Sequence, residues 1–169
     1  KGVKQARGLY CLFLNAGDTL YSPSVLEALK EYLTTDLVVG RMQVVCPENP
    51  AKEGIRRFDN QDIRRKYLFS CSLPHPATFI KKSVFSKYGL YDQGFVIAGD
   101  HDFFARVLTK GVSMSFAPCC VSVFYMDGIS SQMKNSKLLA AEMNKIRINN
   151  FSLLYRLRRK LVDLFCGDI

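Results

Sequence analysis

"LYCLFLNAGDTLY" (residues 9–21) joins an apolar run to an abrupt polar turn. An apolar run from Leu9 to Leu14, bounded by Gly8 and Asn15, predicts a buried central strand. It stops at Asn15-Ala16-Gly17-Asp18, and a helix-like pattern follows. In open α/β sheets ligands sit beyond the carboxyl ends of strands, which is where Asp18 falls. Gly17 beside it would let the backbone approach closely. A carboxylate there suits a hard divalent cation that also bridges substrate phosphates. An Asx-type turn before a helix accounts equally well for the same residues.

Outward from that turn, Ser22 and Pro23 read as the cap and first position of a helix striped with Val25, Leu26, Leu29 and Leu33. Val-rich residues 37–46 predict a second strand, and 47–54 a loop. A short helix around Ile63 and Tyr67 comes next. Prolines on both sides of His75 forbid helix there, and a strand over 77–80 follows. Residues 83–88 read as a short helix closed by Gly89. A longer amphipathic one spans 100–109, with Phe103, Phe104 and Val107 inward and Gly111 at its end. Two strands (112–116 and 120–125) and two helices (132–148 and 153–165) complete a pattern of class α/β.

At 169 residues and 48% hydrophobic, the chain can bury one good core. It begins Lys1-Gly2-Val3, in what reads as the tail of a helix, so it is expected to be part of a longer protein. No run approaches the roughly 20 apolar residues of a membrane span. Six cysteines (Cys11, Cys46, Cys71, Cys119, Cys120, Cys166) show no CxxC spacing and read as reduced, mostly buried thiols, as in the cytosol. His75 and His101 stand alone, which is not the pattern of a zinc site.

The net charge of +9 is uneven. Between Lys134 and Lys160 eight Lys or Arg face one acid, Glu142, a net of +7. Nucleic acid, anionic lipid and polyanionic substrates all fit such a segment. Nucleic-acid readers interleave exposed aromatics with basic residues. Here Phe103, Phe104 and Phe116 fall on inward faces, which disfavours that class.

Asp100 and Asp102, in "AGDHDFF" (98–104), form a second carboxylate cluster. Asp100 stands at a helix N-cap position, and capping is the plain explanation. Residues two apart on a helix do not share a face. One acid can therefore act as a base while the other pairs with Arg106, leaving Asp100 as the exposed candidate. His75 could contact a ligand or a loop carbonyl. Asp127, Gly128, Ser130 and Ser131 make a polar loop after a strand. Arg56, Arg57, Arg64, Arg65 and Lys66 read as a solvated face.

Together these segments resemble the family 2 glycosyltransferases of the GT-A fold, of the bacterial kind that builds surface polysaccharides. Residues 1–21 are similar to that family's passage from a helix end into a strand with an Asn-Ala-Gly-Asp or Asn-x-Asp-Asp turn. "PHPATFIKKSVFSKYGLYD" (74–92) resembles its Pro-His-Gln-Ala-Thr-Phe segment. "FVIAGDHDFFARVL" (95–108) resembles its Ser-Asp-x-Asp helix start, and "VSVFYMDGISS" (121–131) its Gly-Gly-Ile-Ser loop. Three residues depart from the pattern: Gly17 for an acid, Pro76 for Gln and Asp127 for Gly.

The resemblance implies the C-terminal part of a GT-A (Rossmann-like) domain over residues 1–150, a mixed sheet flanked by helices, with a basic amphipathic helix over 151–169. It implies an inverting hexosyltransferase that moves a sugar from a nucleotide-sugar donor to a hydroxyl of a glycan or lipid-linked acceptor. Asp18 would hold Mn2+ or Mg2+ on the diphosphate, and Asp100 would be the general base. Asn15, His75, Asp102, Gly128 and Ser130 would line the donor or acceptor side. The family's first strands, which bind the nucleotide, would precede Lys1, so the isolated chain is expected to be inactive. The expected location is cytoplasmic, on the inner face of the cell membrane if residues 151–169 bind anionic lipid. On a helical wheel Leu153, Leu154, Leu157, Leu161, Leu164 and Phe165 share one side, which fits either packing on the domain or a membrane surface. A noncatalytic module for assembly, or for binding anionic membrane or another polyanion, is the competing function.

Overall fold

The computed structural model describes residues 2–58, 66–126 and 136–166, the last five and residues 66 and 67 by backbone alone. A short helix α1 (Gly2–Gln5) leads into strand β1 (Tyr10–Cys11), followed by β2 (Thr19–Leu20) and α2 (Val25–Leu29). Strand β3 (Leu37–Val45) and β4 (Gly54–Arg56) precede α3 (Lys66–Ser70). Then come β5 (Thr78–Lys81), α4 (Lys82–Tyr88), α5 (Gly99–Thr109), β6 (Met114–Tyr125), α6 (Ser136–Asn150) and α7 (Leu153–Cys166).

The six strands form one sheet in the order β1-β5-β3-β6-β2, with β4 also paired to β3. Strands β3 and β6 run parallel and the other pairs antiparallel, so the sheet is mixed. Alternation along β3 divides the core. Leu37 and Val39 join Phe103, Phe104, Val107, Ile146 and Phe151 on one face. Val38 joins Val25, Leu29, Phe79 and Val121 on the other. Side chains of a strand point alternately to opposite faces, so both faces are covered by helices.

The two strands expected over 112–116 and 120–125 are one strand, β6, irregular opposite Gly40. A Cβ at Gly40 would lie 2.3 Å from Val121 Cγ2 and 3.0 Å from Cys119 O. Glycine is therefore what lets β3 and β6 pair across the irregularity.

Three further expectations change. The run 9–14 is not a central strand: two of its residues pair, at an edge of the described sheet. Leu9 and Leu14 are exposed, and Phe13 leaves the sheet to stack on the His75 ring at 5.2 Å between centroids. Aromatic burial outweighs continued strand pairing there. The turn is followed by β2 rather than a helix, and α2 begins at Val25 with no side-chain cap from Ser24. The loop over 47–54 contains a 3-10 turn, and its last residue starts β4.

Among the described side chains Cys11 and Cys46 are buried free thiols, Cys119 and Cys120 are half-buried and Cys71 is exposed, so fewer are buried than expected. No helix among the described residues is long and apolar enough to cross a membrane.

Candidate active site

One cleft of about 1140 Å³ gathers most of the residues singled out above: Asn15, Asp18, His75 and Asp100 all line it. Its walls come from the 13–18 turn, the ends of β3 and β6, β4, the 72–76 segment and the chain entering α5. Gly128 and Ser130 lie outside the described residues. Asp102 is not in the lining. It is buried on another side of α5, where Oδ2 is 3.5 Å from Arg106 Nε and Oδ1 accepts a 3.2 Å bond from Asn150 Nδ2. Arg106 in turn donates to the carbonyls of Tyr88 and Leu90. The position expected to touch cofactor instead ties α5 to α6 and to the chain after α4, because residues two apart on a helix point about 200° apart.

The turn carrying Asp18 is built locally. Asp18 N donates to Asn15 O at 3.1 Å, and Asn15 N donates back to Asp18 Oδ2 at 3.3 Å. The other carboxylate oxygen accepts from Tyr125 N at 3.3 Å, which ties the turn to β6. Gly17 has φ 94°, a left-handed conformation that side chains resist, and a Cβ there would meet nothing within 4 Å. Glycine is needed for the bend, and no neighbouring atom of the chain crowds it. The plain turn role and an open face toward the cleft thus coexist at Asp18. No group of three or more His, Cys, Asp or Glu among the described residues is arranged to hold a metal ion.

Asp100 stands in the first turn of α5, whose N-cap is Ala98, so it is not the cap. Its Oδ1 accepts from His101 N at 2.8 Å and its Oδ2 from Ser72 Oγ at 3.3 Å. The chain that delivers it is held from a distant helix. Glu142 of α6 accepts the backbone N–H groups of Val96, Ile97 and Ala98 at 2.6, 3.0 and 2.8 Å. Burial raises the pKa of this carboxyl, but the three N–H donors, with Lys145 nearby, outweigh burial and hold it below its ordinary value. In the sequence Glu142 stands out only as the lone acid of a basic segment. Its signal was available: one carboxylate amid eight cations, on a helical stretch.

His75 shares a 2.9 Å hydrogen bond with Tyr91 Oη and packs among Phe13, Tyr91 and Phe104. Thr78 Oγ1 donates to Pro74 O at 2.8 Å, fixing the turn that presents the ring. Burial pushes His75 toward its neutral form, against the opposing pull of Asp100. The Tyr91 phenol is pushed up by burial first and then by Asp100 and Cys11, so it keeps its proton. His101 is buried and bonded to Leu68 O at 2.6 Å, a structural role. Arg56, read as part of a solvated face, also lines the cleft and is the one Lys or Arg among the described lining residues. Tyr91 and Arg56 are candidates whose place only tertiary structure could reveal.

No protein-family model matches the chain, and no curated protein does. Solved structures do. Residues 1–349 of S. aureus TarS in complex with UDP-GlcNAc match with a TM-score of 0.55 at 14% identity, over 75% of this chain and 37% of that one. The complex of the same protein with UDP gives 0.54 at 13%, over 73% and 37%. A further TarS 1–349 structure gives 0.50 at 11%, over 99% and 53%. The chain thus spans between about a third and a half of the length of these structures. TarS is a glycosyltransferase, and identities this low carry the fold alone. The mixed sheet flanked by helices that surrounds the cleft is a glycosyltransferase-like α/β fold.

Proposed function

We propose that this chain is the C-terminal part of the catalytic domain of an inverting glycosyltransferase, acting on a nucleotide-sugar donor and a glycan or lipid-linked hydroxyl. The observation that carries the reading is the meeting of Asp18, His75 and Asp100 on one cleft within a glycosyltransferase-like fold. TarS structures with UDP-GlcNAc and UDP support a nucleotide-sugar donor.

In this reading Asp100 is the general base. Its carboxylate takes the proton from the acceptor hydroxyl as that oxygen bonds to the anomeric carbon. The bond from that carbon to the diphosphate breaks, and the nucleoside diphosphate leaves with the electron pair. Ser72 and the His101 N–H hold the carboxylate in place. Arg56 offers a cation to anionic substrate groups at the rim. Neutral His75, fixed by Tyr91 and Phe13, offers a shaped wall and a polar edge.

A divalent cation fits the donor set only if substrate supplies most of its ligands. Asp18 is a single half-buried carboxylate whose two bonds are long, so lone pairs remain. Mg2+ and its relatives accept that arrangement, with one or two carboxylates plus phosphates. When bound, the cation would neutralise charge on the diphosphate.

The test uses the full-length protein in a transfer assay over a panel of nucleotide sugars. Asp100→Asn should lower kcat by about 100-fold or more with donor affinity nearly unchanged. Asp18→Ala should weaken donor binding in the presence of Mn2+ and leave metal-free binding alone. Unchanged turnover in Asp100→Asn would reduce that residue to a helix-start carboxylate.

A further inference from the structure

Helix α7 presents its apolar stripe to solvent. Leu153, Leu154, Leu157 and Leu161 are 62%, 78%, 50% and 55% exposed. An amphipathic helix of a globular domain normally turns such a stripe to the core. Here the opposite side faces the body. Tyr155 stacks on Phe151 and meets Phe69 edge-on, and Arg156 and Arg159 are half-buried. At 100° per residue the four leucines lie on one face about 12 Å long. Exposed Arg158 and Lys160 stand roughly 80° to either side of its centre.

From this arrangement we infer that α7 docks the protein on an anionic phospholipid surface, with its leucines among the acyl chain ends and Arg158 and Lys160 on the headgroup phosphates. A helix lying in the interface has this layout: an apolar face flanked by cations that reach up to the headgroups. A second copy of the chain fits the same face poorly. Each chain carries +9, and a stripe-to-stripe contact would set the flanking cations of one copy against those of the other. Nucleic acid offers nothing to four exposed leucines. The net +7 over residues 134–160 adds attraction of the same sign as the flanking pair.

The docking surface is separate from the cleft, and its test reads no transfer activity. The chain is floated on a density gradient with vesicles of phosphatidylcholine alone, or with about 30% phosphatidylglycerol, a charge density that attracts basic segments. It should float with the anionic vesicles, stay behind with the neutral ones, and be released by salt, since exposed charge is screened. Leu154→Glu with Leu157→Glu should lower the bound fraction roughly tenfold or more, with the circular dichroism spectrum unchanged because both sites are exposed. Arg158→Ser with Lys160→Ser should lower it by roughly tenfold or more as well. No flotation with anionic vesicles would overturn the inference, as would equal flotation of the glutamate variant. A concentration-dependent dimer that Leu154→Glu dissolves, without flotation, would assign the face to a second copy instead.

Discussion

Asp18 is held by neighbours within three residues and by one amide of β6, through carboxylate bonds of 3.3 Å, at a turn whose glycine sits at φ 94°. Asp100 is placed from afar. Glu142, more than forty residues along the chain, grips three consecutive amides just before the helix that carries it. Ser72, from another segment, reaches its second oxygen. Both acids face the same cleft. A locally built turn can yield to a ligand without cost to the core, whereas the second arrangement fixes a side chain with the stability of the whole domain.

The largest loss is expected at Glu142. Glu142→Ala leaves three amides without their acceptor, and charged hydrogen bonds of this kind are each worth about 1.5 kcal/mol or more. Urea unfolding should show a loss of about 3 kcal/mol or more, with Glu142→Gln in between. An unchanged midpoint for Glu142→Ala would mean that α6 does not anchor the chain entering α5.

A pH titration separates the two regions next. Burial lowers the pKa of both His75 and His101, so each stays neutral in the folded protein while the unfolded chain protonates near 6.5. The unfolded state then holds more protons, so stability falls as pH drops through 6.5 and levels off below the folded values. The slope is at most about 1.4 kcal/mol per pH unit for each histidine. The Glu142 contribution has its own window. Its folded pKa lies below the ordinary 4.5, so its stabilisation is present above that value and is lost as pH falls further. Both windows belong to the Asp100 side of the cleft. Unfolding midpoints that do not change between about pH 7.5 and 5.5 would contradict the burial of the two rings.

The smallest effect belongs to the turn. Gly17→Ala meets open space but strains a left-handed backbone, at about 1 kcal/mol. For a chain of this length that is a fall in Tm of about 2–4 °C. An equal loss from Gly17→Ala and Glu142→Ala would erase the contrast between local and long-range support.

Much of this was legible along the chain. The α/β class follows from apolar periodicity, since burying one face of a strand or helix writes a period of two or 3.6 into the sequence. The strand at 37–45 and the helix at 99–109 are long enough to carry that signal. Asp18, His75 and Asp100, which line the cleft, could be singled out as candidates because Gly, Pro and carboxylates at turns and helix starts are local chemistry. Short runs deceived: within Leu9–Leu14 the residues Tyr10 to Phe13 pack against the cores, but only two of them pair in the sheet.

Tertiary structure alone decided the rest. It added Asn150 of α6 to the Arg106 partner that helix spacing had already indicated for the acid next to Asp100, and so buried Asp102 away from the cleft. It brought Arg56 to the rim and Glu142 beneath the segment leading into Asp100, contacts between residues distant in sequence that no local pattern encodes. The amphipathic character of α7 was plain in its leucine spacing, but which face meets solvent depends on what the fold packs against it. Here Phe69 and Phe151 take Tyr155, and the leucines are left outside.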